Sequence, residues 1–521
     1  MSDLVAVLLG KSREGLTARR RSSLVTAAFA TALSALALGG TSASAAPLQA
    51  QLVGDAVPGP SGADPEGMTP LGGQLVMEAE DGDHGEELWR SDGGMPTLLK
   101  DIRPGEEDSD PWGFTQMGGF IYFSADDGVH GEELWRTDGT AAGTTLVKDI
   151  NPGSEGSNPS YLTVVNGQLL FGAETSATGY ELWRSDGTEA GTALVKDINP
   201  GAPDSNLYQA TAMGGNLYFQ ATSPGKGVEL WKSDGTPGGT VEIKDINAGA
   251  EGSYPYYLTP VNGVLFFQAS DGYGVGQHGT ELWRSDGTPG GTVEVKDIYP
   301  GTSSSSPSEL EGFNGQVFFS ANDPTHGYEL WKSDGTPGGT QMVKDLNPGS
   351  ENGNPGDFQA FNGRLYFKAL DKAHGYELWR TDGTEAGTVL VLDIWAGEGS
   401  GYPANMTPFE GTLYFSADQH RTGYELWSTD GNAVGLVADI LPGPSGSEPY
   451  DFTPLGNALY FTANDGTHGY ELWKLAPPAP SDTSVSVKLK GKKLKLDAKN
   501  RLKLKISCPA TETSGVCKGK V

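Results

Sequence analysis

The stretch Tyr376-Glu-Leu-Trp-Arg-Thr-Asp-Gly-Thr384 is one copy of a motif that recurs along most of the 521-residue chain. Its core, Glu-Leu-Trp, occurs nine times, and successive tryptophans are 46, 48, 48, 52, 48, 48, 48 and 46 residues apart. A period of this length is typical either of helical arrays or of four-stranded propeller blades. The nine repeated tryptophans are Trp89, Trp135, Trp183, Trp231, Trp283, Trp331, Trp379, Trp427 and Trp473.

The pattern inside each repeat favours blades over helix pairs. Each repeat is rich in glycine and turns, and it holds short β-branched and aromatic runs without helical periodicity. Asn362-Gly363 between two such runs is a strong hairpin signal, because both central residues of that turn need positive φ. In the seventh repeat we predict four strands, named A, B, C and D, at 343–346, 357–361, 364–369 and 376–380.

The ends of the array predict how the ring closes. An unpaired A strand, Gln51–Ala56, precedes the first repeat, and the ninth repeat stops after strand D at Leu475. The N-terminal strand can therefore complete the ninth blade and remove two exposed sheet edges. The sequence predicts an all-β fold, a nine-bladed β-propeller over residues 46–475, with a solenoid or two smaller propellers as the alternatives.

The motif also resembles a known family. Tyr376–Thr384 is similar to the ELWxxDGT repeat of bacterial secreted proteins, and the resemblance runs from about Gln51 to Leu475. The first and eighth repeats depart from it with Asp92-Gly-Gly94 and Asp430-Gly-Asn432, and the ninth lacks it after Lys474. The resemblance implies a propeller-like extracellular repeat protein, and it brings no defined activity or catalytic residues.

The N-terminus agrees with export. Basic residues up to Arg21 precede an apolar stretch from Leu24 to Leu38 and the small-residue pattern Ala43-Ser44-Ala45, which predicts a signal peptide over residues 1–45. Arg20-Arg21 leaves a twin-arginine signal as an alternative. The apolar stretch is too short to span a membrane, and no other stretch is long enough, so we expect a secreted or cell-surface protein without a transmembrane span.

The C-terminal part differs in composition from the repeats. Residues 476–484 form a Pro-rich linker, and residues 485–521 alternate with period two, which predicts a short basic β segment resembling the start of a truncated Ig-like domain. Both cysteines of the chain, Cys508 and Cys517, lie there, and we expect a local disulfide in an exported protein.

The net charge of the chain limits the kinds of molecule that it can bind. The chain carries 36 basic and 66 acidic residues. Five basic and two acidic residues precede Ala46, and eleven basic and two acidic residues follow Thr483, which leaves 20 and 62 for the repeats, a net charge of −42. Such a body repels nucleic acid and favours cations or basic partners, although solubility alone also explains it. We expect a monomer with an extracellular protein or glycan partner.

Two loop features suggest metal chemistry. All seven histidines lie in C-to-D loops, six of them five residues before a repeated tryptophan, and a structural role competes with a metal or pH-sensing surface. The same loops hold carboxylates that could bind calcium, although turns use the same residue types. No cofactor is required, and calcium remains open at Asp126, Asp127, Asp323, Asp371 and Asp465.

The motif residues themselves are predicted to be structural. The tryptophans are large enough to fill the wedge between adjacent blades rather than to stack on sugars. The glutamate before each leucine would then be buried and need partners, for which Lys148, Lys196 and Lys344, or the basic residue after each tryptophan, are the candidates.

Positions that break the repeat are the better candidates for a specific site. The fifth repeat carries four extra residues in 271–278 and is rich in tyrosine, so Tyr254, Tyr256, Tyr257 and Tyr273 are the candidate ligand contacts. No nucleophile elbow or zinc-protease motif is present. A non-catalytic extracellular binding or adhesion module ranks first, a structural surface protein second, and a glycan hydrolase or lyase third.

Overall fold

The computed structural model describes residues 48–477, which form 36 β-strands in nine four-stranded antiparallel sheets. The sheets are arranged in a ring, which confirms the predicted all-β propeller of nine blades. The predicted signal peptide (1–45), all but the first two residues of the linker, and the tail with Cys508 and Cys517 lie outside the described residues. Within 48–477, no helix is long and apolar enough to cross a membrane.

Each sheet runs B, C, D, A from the centre of the ring outward, and neighbouring B strands contact each other around it. The B strands are β2 Glu66–Leu71, β6 Trp112–Met117, β10 Ser160–Val165, β14 Tyr208–Met213, β18 Tyr256–Val261, β22 Ser308–Phe313, β26 Gly356–Phe361, β30 Ala404–Phe409 and β34 Tyr450–Leu455. The C strands are β3 Gln74–Asp81, β7 Phe120–Asp126, β11 Gln168–Thr175, β15 Asn216–Ser223, β19 Val264–Ser270, β23 Gln316–Asp323, β27 Arg364–Asp371, β31 Thr412–Asp418 and β35 Ala458–Asn464.

The two outer strands of each blade carry the motif and the segment that follows it. The D strands are β4 Gly85–Ser91, β8 Glu132–Thr137, β12 Gly179–Ser185, β16 Gly227–Ser233, β20 Thr280–Ser285, β24 Gly327–Ser333, β28 Gly375–Thr381, β32 Tyr424–Thr429 and β36 Tyr470–Ala476. The A strands are β1 Gln49–Leu52, β5 Thr97–Lys100, β9 Thr145–Lys148, β13 Ala193–Lys196, β17 Val241–Lys244, β21 Val293–Lys296, β25 Gln341–Lys344, β29 Val389–Leu392 and β33 Val434–Ala438.

The N-terminal strand closes the ring as predicted, with a shift of register. Strand β1 pairs with β36, from Gln49 opposite Ala476 to Leu52 opposite Trp473. The expected strand at 51–56 therefore begins and ends earlier, and β36 continues into the predicted linker as far as Ala476. The N–H of Val53 still donates to the Leu472 carbonyl (2.9 Å), and beyond it the N–H of Val57 donates to the carboxylate of Glu471 (3.1 Å) instead of to a neighbouring strand.

The hydrophobic core consists of nine clusters, one at each interface between blades. At the interface of blades six and seven, Leu330 and Val343 of one blade pack against Phe367 and Trp379 of the next. Eight of the repeated tryptophans are 4–8% exposed, and Trp473 is partly buried against the closing strand. The prediction that the tryptophans fill the wedges between blades is confirmed.

The buried glutamates of the motif have different partners from those predicted. The Glu377 carboxylate accepts hydrogen bonds from the backbone N–H groups of Ile394 (2.8 Å), Trp395 (3.1 Å) and Gly401 (2.9 Å) in its own blade and the loop that follows. The prediction that the motif glutamates pair with lysines is wrong, because a carboxylate at this depth lies beside the unpaired backbone amides at the end of strand A. Equivalent contacts end the A strands earlier than predicted. The strand predicted at 343–346 is β25, which stops at Lys344, and the N–H of Leu346 donates to the Glu329 carboxylate (2.6 Å).

The lysines and arginines instead join neighbouring blades. The Lys344 ammonium donates to the Thr388 carbonyl of the next blade (2.9 Å), and the Lys332 ammonium donates to the Gly383 carbonyl (2.7 Å). Lys148 and Lys196 make the equivalent contacts with Thr192 and Thr240. These side chains therefore connect the D-to-A hairpins around the ring.

We expect the propeller to be more stable at pH 5.5 than at pH 8. Burial raises the pKa of six motif glutamates to about 7 and that of Glu329 to about 8, against 4.5 when exposed (the six are Glu87, Glu181, Glu229, Glu281, Glu377 and Glu471). A pKa raised on folding stabilises the native state fully below the unfolded value, and that contribution is lost as pH rises through the folded value. Thermal unfolding between pH 5.5 and pH 8 measures this, and a midpoint that rises with pH would contradict it.

Candidate ligand-binding face

The A-to-B loops and the C-to-D loops lie on the same face of the ring, which we call the loop face. The D-to-A hairpins lie on the opposite face, because successive strands in each blade are antiparallel. At the loop face, the start of strand B lines the mouth of the central channel. The residue at this position differs among the blades, and the nine residues are Glu66, Trp112, Ser160, Tyr208, Tyr256, Ser308, Gly356, Ala404 and Tyr450.

Two backbone positions beside each B-strand start adopt left-handed conformations. The second residue of every B strand has positive φ and sits in a β-bulge, and in seven blades it is not glycine, as in Tyr161 (57°) and Tyr257 (56°). The residue two before the strand also has positive φ and is never glycine, as in Tyr254 (50°) and Tyr402 (42°). Such residues cost about 1–3 kcal/mol each and concentrate at ligand sites. The mouth is therefore strained in every blade.

A row of tyrosines crosses the mouth from blade three to blade five. The rings of Tyr161 and Tyr208 are 5.0 Å apart, those of Tyr208 and Tyr256 5.7 Å, and those of Tyr256 and Tyr257 4.8 Å. The Tyr208 and Tyr256 hydroxyls also hydrogen-bond at 3.2 Å. On the other side of blade six, Tyr376 stacks on Tyr402 with centroids 5.2 Å apart.

Between these two aromatic groups lies a cleft of about 880 Å³, which we call the tyrosine cleft. Its polar lining consists mainly of uncharged groups, including Gln268, Ser308 and Asn354. Lys368 also lines it, with its ammonium 2.6 Å from the Asp357 carboxylate. The cleft thus combines aromatic faces with hydroxyl and amide groups, and its cation is neutralised locally.

Blades nine, one and two make the opposite part of the mouth acidic. The carboxylates of Glu78, Glu86 and Asp110 lie within 4.8 Å of one another. Burial, and then the charge of Glu86, raise the pKa of Glu78 to about 8. Nearby, the Tyr450 hydroxyl donates to Asp64 at 2.5 Å. An anionic ligand would be repelled along this part of the mouth.

The four candidate tyrosines of the fifth repeat occupy different places on the loop face. Tyr256 and Tyr257 line the cleft, and Tyr254 lies at the rim, 61% exposed. Tyr273 lies outside the cleft lining on the four-residue insertion, 65% exposed, with its hydroxyl 3.3 Å from the Thr280 hydroxyl. The cleft also contains Tyr328, Tyr376 and Tyr402, which were not predicted from the sequence.

The candidate calcium aspartates have protein partners. Four of them accept a hydrogen bond from the imidazole three residues later, at Nδ1–carboxylate distances of 2.7–2.8 Å, in the pairs Asp127–His130, Asp323–His326, Asp371–His374 and Asp465–His468. Asp126 pairs with Arg103 at 2.8 Å. A structural role for these histidines predicts hydrogen bonds from the imidazole to the loop backbone, but the imidazoles bond to carboxylates instead. His420 is different: it stacks on Trp395, with centroids 4.5 Å apart.

Comparisons with known proteins give only distant structural similarity. No family model matches the chain, and no curated protein matches it. Among solved structures, the chain is similar to the computationally designed Ika8 protein (15% identity, TM-score 0.40, covering 70% of this chain and 96% of that one). It is also similar to a Mycobacterium tuberculosis puromycin-hydrolyzing peptidase (12% identity, TM-score 0.37), of which it spans 60% while 71% of this chain is covered.

Proposed function

We propose that this protein is an exported, non-catalytic binding module and that its ligand is an uncharged or cationic carbohydrate chain held in the tyrosine cleft. The observation that carries the proposal is the cleft itself. Tyrosines from blades five to eight stand on both sides of a row of hydroxyl and amide groups. Sugars offer apolar ring faces and hydroxyl edges, and this combination of groups complements both.

The choice of carbohydrate over other ligands follows from the surroundings of the cleft. The acidic part of the mouth disfavours anionic polymers, and the repeats as a whole carry a net charge of −42. The cleft is open and polar, whereas a site for an apolar peptide would be lined mainly by hydrophobic side chains. Export is supported by the signal-like N-terminus and by the resemblance to secreted ELWxxDGT repeat proteins.

The lining also supports binding without catalysis. Among the described residues that line the cleft, Glu309 is the one carboxylate, and no histidine is present. Glycoside hydrolysis generally needs a pair of carboxyl groups on either side of the bond to be cleaved. A bound glycan would therefore be held intact.

We expect Tyr256→Ala and Tyr376→Ala each to weaken glycan binding about two- to tenfold, since an aromatic contact contributes about 0.5–1.5 kcal/mol and 1.4 kcal/mol is a factor of ten. A glycan array with neutral, amino and acidic oligosaccharides identifies the ligand, and titration of that ligand against each variant gives the affinity. Tyr273→Ala is the matched control, because Tyr273 is an exposed tyrosine of the same face outside the cleft lining.

Two results would overturn the proposal. One is an array without binding to any neutral or amino oligosaccharide. The other is a ligand whose affinity is unchanged in both cleft variants while their unfolding midpoints match that of the unmodified chain.

A further inference from the structure

The four-residue insertion of blade five brings a histidine to a place where two carboxylates converge. The insertion closes on itself: the N–H of Asp271 donates to the Gly279 carbonyl (3.2 Å), and the Gln277 amide donates to the Asp271 carbonyl (2.6 Å). This closure places His278 against strand β21. Its Nδ1 is 2.7 Å from a carboxylate oxygen of Glu294 and 3.4 Å from one of Asp271.

Other blades do not repeat this arrangement. The residue equivalent to Glu294 is leucine in six blades, at Leu52, Leu98, Leu146, Leu194, Leu390 and Leu436. Blade four also has a glutamate there, Glu242, but a lysine replaces the histidine, and Lys226 neutralises it at 2.7 Å. In blade five two carboxylates face a single imidazole, so negative charge is left over.

A third carboxylate adds to this excess. Asp297 follows strand β21, and its charge acts on both His278 and Glu294. One of its oxygens is buried without a hydrogen-bond partner, as in the equivalent aspartates of seven other blades, while the other accepts the N–H of Gly301 (3.2 Å). The side chains of His278, Asp271 and Glu294 are 39%, 19% and 18% exposed, so water and ions can reach them.

We propose that Asp271, His278 and Glu294 bind one Zn²⁺ ion, with water at the fourth position. Their ligand atoms lie within 4.8 Å of one another. Zinc takes imidazole nitrogen and carboxylate oxygen at about 2.0–2.2 Å, so tetrahedral ligands stand about 3.3 Å apart. The distance of 3.4 Å from Nδ1 to Asp271 already fits this value. A rotation of the Glu294 side chain would lengthen its 2.7 Å distance from Nδ1 to match. Calcium and magnesium prefer all-oxygen sites, whereas imidazole suits zinc and its late first-row neighbours.

Zinc at this place would tie the insertion to strand β21. The insertion carries Tyr273, whose hydroxyl reaches Thr280 at the start of strand D. The ion would therefore hold an exposed aromatic side chain at the rim of the loop face. This role is independent of whether the tyrosine cleft binds carbohydrate.

The test is isothermal titration of Zn²⁺ into the EDTA-treated, dialysed chain, purified without a histidine tag. Cys508→Ser and Cys517→Ser in the background remove thiol ligands. We expect one equivalent of zinc, a raised unfolding midpoint, and no heat from Ca²⁺ or Mg²⁺ at the same concentrations. Glu294→Leu installs the residue of six other blades and should weaken zinc binding at least tenfold.

Matched controls separate this site from other histidines and carboxylates. Glu242→Leu in blade four and His374→Ala in blade seven should both bind zinc like the background chain. The proposal is overturned if no single-equivalent binding occurs, if Glu294→Leu binds as tightly as the background, or if His374→Ala weakens binding as much as Glu294→Leu does.

Discussion

Deleting residues 46–53 opens the ring and destabilises the whole propeller. The deletion removes strand β1, whose four residues pair with β36, and it exposes the edge of the ninth blade. It also removes Leu48 and Ala50 from the core cluster between blades eight and nine. The lost hydrogen bonds alone correspond to on the order of 5 kcal/mol, and the exposed edge favours aggregation. Thermal unfolding and light scattering measure both effects.

The control for this deletion is the chain that lacks only residues 1–45, which keeps β1. A synthetic peptide of residues 46–57 added to the shorter chain should restore the midpoint, because an extended peptide can add a strand to an exposed sheet edge. Equal midpoints for the two truncated chains would show that β1 does not close the ring.

Glu377→Ala should destabilise the propeller by about 3 kcal/mol or more, since each buried donor left without a partner costs about 1–3 kcal/mol. Three backbone N–H groups, at Ile394, Trp395 and Gly401, lose their acceptor. Urea unfolding measures the loss of free energy, and hydrogen exchange at 394–401 should show that the A-to-B loop opens first.

Two companion variants make the Glu377 result specific. Glu385→Ala removes an exposed glutamate from the adjacent hairpin and should change stability by less than about 0.5 kcal/mol. Glu377→Gln keeps one acceptor oxygen and should lie between the two. If Glu377→Ala and Glu385→Ala unfold at the same urea concentration, the motif glutamate does not hold the loop.

The strands and the closure of the ring could be predicted because their signals are local. Apolar alternation marks the strands, Asn362-Gly363 marks a hairpin, and the unmatched strands at the two ends of the array can satisfy only each other. The ends of the A strands were misplaced because the residues after Lys344 look extended, and a buried carboxylate from another strand captures their amides.

The candidate site could be predicted only in part. Tyr256 and Tyr257 could be predicted because they differ from the repeat. Tyr328 and Tyr376 could not, because they occupy a position where tyrosine recurs in several blades. Which side chains meet across the mouth depends on the curvature of the ring, and the sequence carries no direct signal of it. The left-handed backbone conformation at Tyr257 could not be predicted from the sequence either, because glycine is the residue that usually indicates that conformation.

Hydrogen–deuterium exchange with and without the oligosaccharide selected on the array shows whether the tyrosine cleft is the ligand site. We expect slower exchange at 254–258, 354–358 and 400–404, with no change in the D-to-A hairpins of the opposite face, such as 381–388. Protection confined to those hairpins, or none at a saturating ligand concentration, would contradict it.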